Sequence, residues 1–120
     1  MSNKIAMIAA ACLLAAVTPA LAQTVCTEPA PPTVVDGSTA SREQMMAGVA
    51  LVRDFITKSD VYQTCIATDL DAKKKAAGTT PLDPGVQQVA LAKVAANQAA
   101  KDKLAADVNA QVKIYQAKPK

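Results

Sequence analysis

Apolar residues recur at steps of three or four in two long stretches of the chain, which is the spacing of one face of an α-helix. The first stretch opens with a capping box over residues 41–44 and closes near Gly78, a residue suited to a helix C-terminus. The second opens with Asp83 as a helix N-cap and Pro84 in the first turn. The pattern predicts an all-α fold with a first helix over 41–77, a turn over 78–83 and a second helix over 84–117.

The two apolar stripes predict a long antiparallel hairpin. Facing residues of such a hairpin have numbers with a constant sum, which is about 160 when the turn lies near residue 80. This register places Ser59 opposite Lys101 and Tyr62 opposite Gln98, so that the polar interruptions of the two stripes meet. The predicted hairpin core consists of Met45, Val49, Val52, Ile56, Tyr62, Ile66, Leu70, Val94, Leu104, Val108, Val112 and Tyr115.

Residues 1–22 have the pattern of a secretory signal peptide. Lys4 supplies the positive charge, an apolar run follows over 5–17, and small residues then predict cleavage between Ala22 and Gln23. The apolar run has about 13 residues, fewer than the roughly 20 that span a bilayer. An uncleaved N-terminal anchor is the alternative interpretation. The cleavage pattern favours an exported chain of residues 23–120, located in a periplasm or secreted.

Two cysteines, Cys26 and Cys65, remain once the leader is removed. An even number of cysteines in an exported chain predicts one disulfide. The alternatives are two free thiols or a metal pair, and two cysteines without histidine make a poor zinc site. A disulfide here closes a loop of about 40 residues, for which the chain-entropy relation gives about 4 kcal/mol.

Residues 23–40 carry three prolines, a density that prevents a helix and favours an extended arm. The first helix places Cys65 about 36 Å from Ser41. The 15 residues from Cys26 to Ser41 span at most about 46 Å in the polyproline conformation. The disulfide therefore requires an arm that runs extended and antiparallel along the first helix, and residues 23–120 then form one domain.

The composition leaves few routes to catalysis. The chain contains no histidine, which removes the commonest general base and the commonest zinc ligand. Asp69 and Asp71 lie two positions apart and hence on different sides of a helix. Met45 and Met46 are interpreted as core residues rather than as a soft-metal site. We expect no catalytic residue, no metal site and no cofactor.

A resemblance adds to this picture. The combination of Cys26-x-x-Pro29, Asp36-Gly37, residues 41–45 and Tyr62-x-x-Cys65 resembles small exported proteobacterial proteins of unknown function with a Pro-rich arm. The resemblance covers residues 26–70. It implies a bacterial periplasmic protein with a disulfide between arm and helix, and it carries over no catalytic residue.

The function expected from these features is non-enzymatic. The net charge of +3, or +2 without the leader, and the three aromatic residues give no support for nucleic-acid binding. We expect binding or scaffolding of an unknown protein partner, with homodimerisation into a four-helix bundle as one way to cover the exposed helix faces. The alternative is an envelope-associated or stress-response protein whose amphipathic helices contact lipid, cell-wall polymer or unfolded clients.

Overall fold

The computed structural model describes residues 25–119 and contains two antiparallel helices, α1 (Arg42–Ala77) and α2 (Pro84–Gln116), preceded by an extended arm. The predicted fold class is confirmed: it is an all-α hairpin whose arm is disulfide-bonded to the first helix. Neither helix is long and apolar enough to cross a membrane. The predicted signal peptide and its cleavage site, Ala22 and Gln23, lie outside the described residues.

Local signals fix where the helices begin and end. The Ser41 hydroxyl accepts a hydrogen bond from the Gln44 amide at 3.2 Å, and the Gln44 side chain accepts one from the Ser41 amide at 2.7 Å. Gly78 ends α1 with φ of 61°, a backbone conformation that favours glycine. The Asp83 carboxylate accepts a hydrogen bond from the Gly85 amide at 2.6 Å and caps α2.

The arm packs against both helices. At its far end the Cys26–Cys65 disulfide joins it to α1, with 5.7 Å between the two Cα atoms. Further along, Val34 packs against the central core residues Val52, Phe55 and Leu104. The arm therefore runs antiparallel to α1 and supplies the third wall of the core.

The turn at the near end of the arm contacts α2 through its backbone. The Gly37 amide donates a hydrogen bond to the Gln111 side chain at 2.8 Å, and a Cβ atom at Gly37 would lie 2.0 Å from the Gln111 carbonyl oxygen. The Lys118 ammonium donates to the Ala40 carbonyl at 2.8 Å. The close approach of the two backbones explains why position 37 is a glycine. These contacts attach the arm to α2, as the disulfide attaches it to α1.

The buried face of α1 differs from the predicted stripe at several positions. Phe55, which the predicted core omits, is only 2% exposed, whereas Ile56 is half-buried. The arm covers the side of α1 that carries Gly48, Phe55 and Tyr62, so the buried face is turned towards it. Of the predicted core, Met45, Val52, Tyr62, Ile66 and Leu104 are buried. The half-buried remainder consists of Val49, Ile56, Leu70, Val94, Val108, Val112 and Tyr115.

Polar contacts between the helices follow the expected register but use different residues. Gln63, rather than Tyr62, donates to Gln98 at 3.3 Å and to Asn97 at 2.9 Å, pairs whose numbers sum to 161 and 160. Lys101 forms an ion pair with Asp60, whereas Ser59 accepts a hydrogen bond from Asn97. The rotation of the buried face of α1 towards the arm explains both differences. Because of it, residues 60 and 63 face α2 in place of the predicted residues 59 and 62.

We expect the Cys26→Ser/Cys65→Ser variant to lower the free energy of unfolding by about 4 kcal/mol, because the bond closes a loop of about 40 residues. Urea unfolding followed by far-UV circular dichroism measures this change. Thr27→Ala, at an exposed position beside Cys26, serves as the control and is expected to change little. A loss below about 1 kcal/mol in the cysteine variant would contradict the stabilisation expected from the disulfide.

Candidate binding site

The arm lies in a groove between α1 and α2, which we call the front groove. Along α1, residues 55, 62, 66 and 73 follow one another at steps of seven, four and seven and so share one face. Phe55 and Tyr62 lie beside the arm, whereas Ile66 and Lys73 lie beyond the disulfide towards the turn. The front groove therefore continues past the arm.

Within the described residues, the part of the front groove beyond the disulfide is uncovered, and we call it the open front groove. It encloses about 530 Å³. Its apolar floor includes Ile66 and Leu70 from α1 and Val89 from α2, whose exposure is 57%. The full lining comprises Ile66, Asp69, Leu70, Lys73, Asp83, Gly85, Val86, Val89, Ala90 and Lys93.

A buried polar cluster lies between the two helices within the part of the core that the arm covers, before the Cys26–Cys65 disulfide on α1. Ser59 and Asn97 are 0% and 1% exposed. The side-chain Nδ2 of Asn97 donates to the Ser59 hydroxyl at 3.3 Å, and the Gln63 side chain donates to the side-chain Oδ1 of Asn97 at 2.9 Å. Because a buried polar group is costly when unpaired, these bonds favour one alignment of the two helices over neighbouring ones.

A second groove lies between the helices on the side away from the arm, near the free ends of the hairpin. We call it the back groove, and it encloses about 550 Å³. Arg42 and Arg53 flank an apolar surface that includes Met46, which is 63% exposed. The back groove is lined by Arg42, Met45, Met46, Val49, Ala50, Arg53, Val112, Tyr115 and Gln116.

Both acidic side chains that line the open front groove have partners within the chain. Asp69 forms an ion pair with Lys73 at 2.6 Å, and Asp83 caps α2. Among residues 25–119, no group of three or more histidine, cysteine or acidic side chains is placed to hold a metal ion.

The two groups with shifted pKa values lie outside the open front groove. Burial raises the pKa of the Tyr62 phenol, and the negative charge of Glu28 adds to the effect. Hydrogen bonds from the Ser38 side chain and backbone lower the pKa of Asp36 and hold the turn at 36–39. Both groups therefore support the arm and its packing.

Comparisons of the chain with protein-family models, with curated proteins and with solved structures found no match. The assignment of a site therefore rests on the geometry of this chain.

Several residues of the predicted core border the two grooves. Ile66 and Leu70 border the open front groove, and Met45, Val49, Val112 and Tyr115 border the back groove. Val86, Val89 and Lys93 line the open front groove but are absent from the predicted core. Their spacing of three and four along α2 is a helical signal, but the predicted core of α2 begins only at Val94.

We expect Asn97→Ala to lower the free energy of unfolding by about 1 to 3 kcal/mol, because it leaves the buried Ser59 hydroxyl without its partner. Asn109→Ala makes the same chemical change at an exposed position of α2 and is expected to shift stability by less than about 0.5 kcal/mol. Urea unfolding of both variants measures the difference. Equal effects at the two positions would contradict a structural role for the cluster.

Proposed function

We propose that this chain is a non-enzymatic, exported helical protein of the bacterial periplasm that acts by binding another protein in the open front groove. The single observation that carries the proposal is the continuation of the front groove beyond the arm. One part of the groove holds an extended segment of the chain itself, and the next part is uncovered within the described residues.

Export is supported by two independent features. Residues 1–22 have the charge, apolar run and small residues of a signal peptide. The Cys26–Cys65 disulfide is of a kind that persists in oxidising compartments and is rare in reducing ones. A periplasmic or secreted location is consistent with both features.

The filled part of the front groove indicates what kind of segment fits the open part. The arm is extended, proline-rich and contacts the helices through Val34 and through close backbone approach at Gly37. Extended segments of this kind bind with little loss of conformational freedom. The open front groove has an apolar floor that includes Val86 and Val89 and is bordered by Lys73 and Lys93. We therefore propose an extended, apolar segment of a partner protein as its ligand.

A binding role also accords with the chemistry of the chain. There is no histidine to act as a general base near neutral pH. Asp69, one of the two acidic side chains that line the open front groove, is paired with Lys73. The residues of the groove therefore offer apolar contact and charge recognition.

A photo-crosslinking amino acid at position 89, introduced into the chain in its native compartment, tests the proposal. The same substitution at position 91 is a matched control. Val89 and Leu91 are both 57% exposed, but only Val89 lines the groove. We expect position 89 to give a discrete adduct with another protein, identified by mass spectrometry, and position 91 not to give that adduct.

Two outcomes would contradict the proposal. Identical adducts from both positions would show that the groove is not the binding surface. Crosslinks from position 89 to lipid or cell-wall polymer instead of protein would favour the envelope-associated role. In that case, binding to anionic vesicles should weaken as the salt concentration rises.

A further inference from the structure

The exposed surface of α1 carries a pattern of charges that the hairpin core does not use. Arg42, Arg53, Asp60 and Asp71 are all exposed and are separated by 11, 7 and 11 residues. At about 100° per residue, positions 18 apart coincide after five turns and positions 11 apart differ by about 20°. The four side chains therefore lie along one straight line, basic in its first half and acidic in its second. We call this line the charged stripe.

Most of these charges have no partner in their own chain. Within residues 25–119, Arg42, Arg53 and Asp71 have no oppositely charged group within 4.0 Å. Asp60 alone is paired, with Lys101 of α2. Arg42 and Arg53 also flank the back groove, so the charged stripe lies on the side of the molecule away from the arm.

We infer that a second copy of this chain docks on the charged stripe, with its α1 antiparallel to the first. The spacing of the charges is symmetric, since 42 and 71 have the same sum as 53 and 60. A twofold axis between positions 56 and 57 therefore places Arg42 opposite Asp71 of the partner subunit and Arg53 opposite Asp60 of the partner subunit. The same pairs repeat on the other side of the axis, as an isologous interface requires.

The residues between the charges fit the same arrangement. The twofold axis places Met46, which is 63% exposed, opposite Ala67 of the partner subunit. It also places Val49 opposite Thr64 of the partner subunit. The long Met46 side chain thus meets a small alanine, and Val49 meets a threonine of similar size, so neither pair prevents close approach of the helices. The contact extends about 44 Å along α1 and covers the apolar part of the back groove.

This inference goes beyond the proposed binding function, because it names a second copy of the chain as a partner and places that partner on another surface. The charged stripe and the open front groove are formed by different residues on different sides of the hairpin. A dimer formed through the charged stripe therefore leaves the open front groove accessible.

Charge reversal tests the arrangement. Sedimentation equilibrium of the oxidised, exported chain should show a dimer. Arg42→Glu and Asp71→Arg should each weaken dimerisation about tenfold or more, because each change makes two attractive contacts repulsive. An equimolar mixture of the two variants should recover the wild-type affinity, since Glu then faces Arg at one contact and Arg faces Asp at the other. Positions 42 and 71 are about 44 Å apart in one helix, so recovery requires two chains.

Matched controls change the same charges on α2. Lys113→Glu and Asp102→Arg are also 11 residues apart and exposed, and dimerisation should be unchanged by either. Far-UV circular dichroism verifies that every variant is folded. A wild-type chain that is monomeric at about 100 micromolar, or a mixture that does not recover, would overturn the inference. The crosslinking result at position 89 would stand in either case, so the two proposals fail separately.

Discussion

The attachment of the arm to both helices is the constraint on which the rest of the structure depends. Two helices alone form a thin core, and α2 buries only Asn97 and Leu104. The arm adds Val34 to this core and is held by the disulfide at one end and by the contacts of Gly37 with α2 at the other. Because the disulfide limits the freedom of the unfolded chain, the arm stays beside the helices at a small further entropic cost.

The same constraint explains why the hairpin has two unlike halves. The half near the free ends has three walls and contains the central core of Val52, Phe55 and Leu104. The half near the turn has two walls, and Ile66 is the last residue of α1 that is buried. The Ser59–Asn97 pair lies within the half that the arm covers and aligns the helices there. A binding surface is therefore left where the arm ends, on helices whose register is already set.

Much of the fold could be predicted from the sequence because its signals are local. The capping box, the Asp83 cap and the position of the turn define two helices and their register without knowledge of any neighbour. The choice between Phe55 and Ile56 could not be made in this way, since it depends on which side of α1 the arm covers. The place of Val89 likewise depends on tertiary structure, because an exposed valine becomes part of a groove only through its position across from Ile66 and Leu70.

The most direct test of this account is hydrogen exchange of the backbone amides in the oxidised and the reduced chain. If the arm maintains the three-walled half, reduction should lower protection most over residues 45–62 and 100–112, to about the level of residues 66–77 and 86–96. The turn half, which the arm does not touch, should change little. Protection that persists over residues 45–62 after reduction would show that the two helices hold their core without the arm, and would contradict the account.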